Sequence, residues 1–190
     1  TENFVLGAEE SYGFLVGDHA RDKDAGVASM LLAELAAQCK AAGETLHTRL
    51  ERLFAEHGVH AEKTISVKMP GSQGKQMMDE VMKRFRTSPP ESLGGLKIAA
   101  VRDLQQPVVE HEDDLAWAMD AARKGNLVIL ELEREGNYVA VRPSGTEPKI
   151  KFYMFAYAAP GTFADVSAAR KEAAALLDAI EGDLRKFALG

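Results

Sequence analysis

Arg142, Ser144, Gly145, Thr146, Lys149 and Lys151 fall in one short run, Arg142-Pro143-Ser144-Gly145-Thr146-Glu147-Pro148-Lys149-Ile150-Lys151, and their types describe a receptor for a small dianion. Arg142 offers a planar fork of donors that matches phosphate oxygens, and Lys149 or Lys151 adds compact positive charge. Ser144 and Thr146 bring hydroxyl donors, and Gly145 has no side chain to hold a ligand off the backbone N–H groups. The prolines flanking Ser-Gly-Thr narrow the conformations of the free loop and lower the cost of ordering it on binding. This combination favours phosphate over carboxylate. Pro-Ser-Gly-Thr is also an ordinary turn composition, so residue chemistry alone leaves a solvated turn open beside the anion site.

Two further stretches carry chemistry near the N-terminus. In Gly7-Ala8-Glu9-Glu10-Ser11-Tyr12-Gly13, adjacent carboxylates and a hydroxyl follow an apolar run. They can accept and donate hydrogen bonds to vicinal diols, as a sugar site requires, although Glu-Glu-Ser is as often a solvated turn. In Asp22-Lys23-Asp24 the lysine lies between carboxylates that favour its protonated form. By contrast, Pro70-Gly71-Ser72-Gln73-Gly74-Lys75-Gln76 is only superficially a nucleotide-binding P-loop. Met69 stands where the first glycine is needed and Gln76 where a Ser or Thr would bind magnesium, so it is expected to be a glycine turn opening a helix.

The elements that must position these residues follow from periodicity. Phe4 to Leu6 is strand-like. Asp24 is placed to cap a helix carrying Val27, Met30, Leu31 and Leu35 as packing residues and ending at Gly43; a second helix opens at Thr45 and ends at Gly58. Ile65, Val67 and Met69 alternate as a half-buried strand; Met77, Met78, Val81, Met82 and Phe85 form a helical apolar stripe with Asp79, Lys83 and Arg86 outward. Leu96 to Val101 is a strand, Asp113-Asp114 is placed to cap a helix carrying Leu115, Met119 and Ala122, and 127–132 with 138–141 make a hairpin across Glu135-Gly136-Asn137. The dianion loop then joins that hairpin to a strand through Phe152 and Phe155, and Thr162 is placed to cap a closing helix with one long apolar face. A composition change at Gly58-Val59-His60 predicts two domains, 1–60 and 61–190. The first is the end of an α/β domain and the second an α+β domain with helices on one face of a mainly antiparallel sheet.

The 190 residues carry a net charge of −6 and 46% hydrophobic residues, which disfavours nucleic acid as the main partner. Cys39, the single cysteine, cannot make an internal disulfide and is expected to be a packing residue. With no apolar run of membrane-spanning length and no signal-like N-terminus, a cytoplasmic protein without membrane partners is expected. The abrupt opening on Phe4-Val5-Leu6 points to a segment of a longer chain.

The wording of two loops goes further. Arg142-Pro143-Ser144-Gly145-Thr146-Glu147-Pro148-Lys149-Ile150-Lys151-Phe152-Tyr153 resembles the phosphate-binding loop of the C-terminal domain of the α-D-phosphohexomutases, the phosphoglucomutase and phosphomannomutase family. Gly7 to Gly13 resembles that family's sugar-specificity loop, and Asp22 to Gly26 the segment that brings a catalytic-site lysine to the sugar. The resemblance implies the end of domain 3 followed by a TATA-box-binding-protein-like domain 4. It further implies phosphate binding by Arg142, Ser144, Gly145, Thr146, Lys149 and Lys151, sugar binding by Glu9 and Ser11 with Glu10 bracing the loop, and a proton-transfer or substrate-orienting role for Lys23. It implies interconversion of glucose 1-phosphate and glucose 6-phosphate through a phosphoserine and glucose 1,6-bisphosphate, with Mg2+ in the full-length enzyme. Mannose and pentose phosphates, or a non-catalytic sugar-phosphate-binding module, remain alternatives. The family's Thr-x-Ser-His-Asn-like nucleophile segment and Asp-x-Asp-x-Asp-like magnesium loop do not occur in these residues. The N-terminal domains of the same enzyme are therefore expected partners, no metal ligand is expected here, and this segment alone is expected to be inactive.

Overall fold

The computed structural model describes residues 4–9, 13–17, 22–69, 71–105 and 125–189. The chain separates into two compact units, Thr1–Leu53 and Phe54–Gly190, whereas the composition change predicts a boundary between 60 and 61. The helix expected from Asp113 lies outside the described residues.

In the first unit β1 (Leu6–Ala8) and β2 (Phe14–Val16) form an antiparallel hairpin, with Leu6 opposite Val16 and Ala8 opposite Phe14. The second of these strands was not foreseen, because three residues are too few to show alternation. Helix α1 (Ala25–Ala41) starts where Asp24 accepts hydrogen bonds from the Gly26 and Val27 N–H groups, and it stops before Gly43, whose φ of 74° is left-handed. Helix α2 (Leu46–His57) follows a reciprocal Thr45–Thr48 hydrogen-bond pair and ends at Gly58. Cys39 is buried. The expected packing face of α1 is largely uncovered: Met30 is 62% exposed, and Leu31 and Leu35 are also open. Within this unit a short hairpin offers too little apolar surface to cover a helix of four to five turns.

The second unit is built on a six-stranded sheet in the order β3-β8-β7-β6-β5-β4. The strands are β3 (Val59–Lys68), β4 (Ser92–Leu93), β5 (Leu96–Asp103), β6 (Val128–Leu132), β7 (Tyr138–Pro143) and β8 (Lys149–Ala158). Every neighbouring pair is antiparallel. Helices α3 (Gly74–Thr87) and α4 (Val166–Leu189) supply apolar faces that share one core with the buried face of the sheet. Strand β8 shows why: Ile150, Phe152, Met154 and Ala156 are buried while Lys151, Tyr153, Phe155 and Tyr157 are half-exposed, so one face meets the core. Phe85 of α3 is fully buried, with its ring 5.8 Å from Phe152 and 4.7 Å from Phe187. This arrangement is the α+β plan expected for the second domain.

Three local expectations are corrected. Helix α4 begins after Asp165, which accepts from the Ser167 and Ala168 N–H groups; Thr162 instead donates to the Ala159 carbonyl and closes a turn. The later start leaves Phe163 ahead of the helix, where it packs on the core. Met77 is exposed, at the margin of the α3 stripe. Arg86 is not a solvated outward residue: it donates from Nε to Asp103 Oδ2 at 2.9 Å and from a terminal nitrogen to Asn126 Oδ1 at 2.6 Å.

Candidate functional site

The dianion-type loop spans the ends of two adjacent core strands. Pairing of β7 with β8 runs to Arg142 opposite Lys151 and Pro143 opposite Ile150, so the loop leaves a register fixed by alternating burial on both strands. Within it, the Ser144 N–H donates to the Lys149 carbonyl at 2.9 Å and the Lys149 N–H donates to the Glu147 carbonyl at 2.8 Å. A third segment braces it: the Met69 N–H, just beyond β3, donates to the Pro148 carbonyl at 2.8 Å. Gly145 and Thr146 are exposed at the tip. A Cβ added at Gly145 would meet nothing within 4 Å, so its backbone faces open space.

The loop forms one wall of a cleft of about 840 Å³, lined by Arg142, Ser144, Gly145 and Thr146 together with Gly71, Ser72, Lys75 and Asp79 at the start of α3. Leu104, Gly125, Asn126 and Leu127 also line it. Asn126 also accepts from Arg86, whose Nε donates to Asp103, and both Arg86 and Asp103 are mostly covered. Lys149 and Lys151 are not in the lining. Lys149 Nζ lies 2.8 Å from Glu147, and its ammonium holds that carboxyl below the usual range. The Lys151 ammonium lies 5.7 Å from the Tyr153 ring centroid. Arg142 and Lys151 nevertheless sit directly opposite each other across the strands, as do Lys68 and Lys149. Like charges so placed repel, and an anion nearby would relieve that repulsion.

In the first unit two of the N-terminal candidates, Glu9 and Lys23, lie together. The Glu9 N–H donates to the Gly13 carbonyl at 2.8 Å, and Lys23 Nζ reaches Glu9 Oε1 at 3.3 Å and Asp22 Oδ1 at 2.9 Å. A Cβ at Gly13 would stand 2.4 Å from Lys23 Cδ, so a larger residue there would displace the lysine side chain. The Asp22 carboxylate, and after it Glu9, raise the Lys23 pKa, so this lysine is an ammonium at neutral pH. It is equipped to orient an oxygen or donate a proton rather than to remove one. Ser11 and Glu10 lie outside the described residues.

Residues 1–57 match the family described as phosphoglucomutase/phosphomannomutase, alpha/beta/alpha domain III. The phosphoglucomutase of Staphylococcus aureus strain N315 is 39% identical over 153 residues, which is 80% of this chain and 27% of that protein. That of strain MRSA252 is 38% identical over 154 residues, with the same shares.

The chain belongs to the phosphoglucomutase/phosphomannomutase family.

As a phosphohexomutase-family chain it spans only about a quarter of the length of the curated relatives it matches. Among the described residues no group of three or more His, Cys, Asp or Glu could hold a metal ion. No described helix is long and apolar enough to cross a membrane. Sequence reasoning missed the contribution of Ser72, Lys75, Asp79 and Asn126 to the cleft. The one signal for the first two was the glycine-flanked Gly71 to Lys75 run, which failed as a nucleotide loop yet shares a cleft with the dianion-type loop.

Proposed function

We propose that this chain supplies phosphate and sugar recognition to a phosphoglucomutase-like enzyme that interconverts glucose 1-phosphate and glucose 6-phosphate. A phosphoserine elsewhere in the full-length enzyme gives its phosphoryl group to the free hydroxyl of the bound hexose monophosphate. The resulting glucose 1,6-bisphosphate turns round and returns its other phosphoryl group to serine. Whichever end is reacting, the idle phosphate needs a holder. Arg142 with Ser144, Gly145 and Thr146 fills that role, and Lys149 and Lys151 add positive field from β8. Glu9 and Ser11 accept and donate to ring hydroxyls shared by both orientations, and the Lys23 ammonium orients the sugar beside them. The cleft that gathers Arg142, Ser144, Gly145 and Thr146 on one wall carries this reading.

Isomerisation of glucose 1-phosphate, mannose 1-phosphate and ribose 1-phosphate by the full-length protein tests the assignment. The expected order is glucose first. Turnover of none of the three would overturn an enzymatic role, and a preference for the pentose phosphate would overturn the substrate class.

A further inference from the structure

The cleft beside the proposed phosphate loop has a second wall, at the start of α3. Met69 and Gly74 bring the start of α3 against the loop: the Met69 N–H bonds the Pro148 carbonyl at 2.8 Å, and the position of a Gly74 Cβ would fall 3.1 Å from Pro148 Cβ and 2.0 Å from the Met69 carbonyl oxygen. A larger residue at 74 would force the start of α3 away from the Met69 carbonyl. That contact sets Ser72 and Lys75 on the same cleft as Arg142. Among the described residues the Lys75 ammonium and the Arg142 guanidinium make no hydrogen bond or ion pair, whereas Glu147 is already engaged by Lys149 at 2.8 Å. Asp79, one turn beyond Lys75, is the other carboxylate of the lining, so charge alone does not draw an anion to every part of the cleft. The favourable place is between Lys75 and Arg142.

We propose that Lys75, with the Ser72 hydroxyl, is a specificity-determining contact for the idle phosphate of the sugar phosphate, closing from α3 the site that the Arg142 loop opens from the sheet. The inference rests on the phosphate-site reading above. A loop alone offers one face of donors, and a phosphate has oxygens on all sides; two walls from separate elements satisfy more of them. Because the idle phosphate is the same before and during transfer, the contact acts on ground and transition states alike.

The test uses the full-length enzyme with Lys75→Gln, Lys83→Gln and Arg142→Ala, each checked for an unchanged thermal melt. Lys83 is a further cation about two turns along α3 and outside the cleft lining, which controls for general charge. Lys75→Gln is expected to raise the dissociation constant and KM of glucose 1-phosphate about fivefold with kcat little changed, while Lys83→Gln changes either less than about twofold. Inorganic phosphate should compete about fivefold less well against the Lys75→Gln enzyme, and Lys75→Arg should recover most of the affinity. If Arg142→Ala weakens binding but Lys75→Gln behaves like Lys83→Gln, the second wall is overturned while the loop assignment stands. If neither Arg142→Ala nor Lys75→Gln weakens binding, both fail together.

Discussion

The two units of the chain differ in what holds their candidate residues. In Phe54–Gly190 the dianion-type loop is tied to strands whose inner face is part of a closed core, with Phe85, Phe152, Ile180 and Leu184 fully covered. In Thr1–Leu53 the Glu9–Lys23 pair flanks a hairpin of two three-residue strands, and the apolar side chains of α1 are mostly open. A substitution in the second unit therefore reads either the core or the ligand site, and the two can be told apart. In the first unit the described contacts around Glu9 and Lys23 include the Glu9–Gly13 backbone bond, the Asp24 cap and the lysine's ion pairs.

The contrast breaks most visibly in the core. Phe85→Ala is expected to destabilise the second unit by about 3–5 kcal/mol, because a buried ring is lost and the surrounding side chains refill the space only in part. Leu31→Ala, at a position 38% exposed, should cost less than about 1 kcal/mol. Denaturant titration of the two variants checks this, and equal costs would erase the distinction between the units. Gly145→Ala sharpens it from the ligand side. An added methyl meets no protein atom within 4 Å and Gly145 is not left-handed, so stability should change by less than about 0.5 kcal/mol. Sugar-phosphate affinity should nonetheless fall about threefold as the methyl holds the phosphate off the backbone. Calorimetry on the variant that showed stability lost and affinity kept would reverse the assignment.

The smallest effect expected is electrostatic. Hydrogen bonds from Lys63, and then from Arg185, hold the Glu181 carboxyl below its ordinary range. A depressed carboxylate stabilises the fold above its unfolded pKa, about 4.3 for glutamate, and that contribution is lost as pH falls through the lower folded value. Glu181→Gln should thus cost less than about 1 kcal/mol at pH 7, as a solvent-screened pair does. Its stability gap to the wild type should close below about pH 4.3. A gap that widened on acidification would contradict the sign.

Much of this was legible in the residues because alternation and helical spacing are local. The β6–β7 hairpin, the β8 strand, the Asp24 cap and the α3 stripe follow from neighbours a few positions apart. The short β2 and β4 were too brief to register a period. Long-range contacts were beyond reach for a different reason. Periodicity shows that Arg86 leaves the core face of α3, but not that Asp103 and Asn126 meet it there. In the same way it shows a glycine turn at Gly71 to Gly74, but not that Pro148 returns to lie against it. The site is thus half legible: the loop could be read from its own residues, while its opposite wall exists only once the sheet is assembled.

The central claim is that Arg142 grips the phosphate of a sugar phosphate. Measuring the dissociation constant of glucose 1-phosphate for the full-length protein, before and after Arg142→Ala, tests it most directly. Loss of charge-assisted hydrogen bonds worth about 1.5–3 kcal/mol each predicts at least about tenfold weaker binding with the fold intact. An unaltered constant would contradict it.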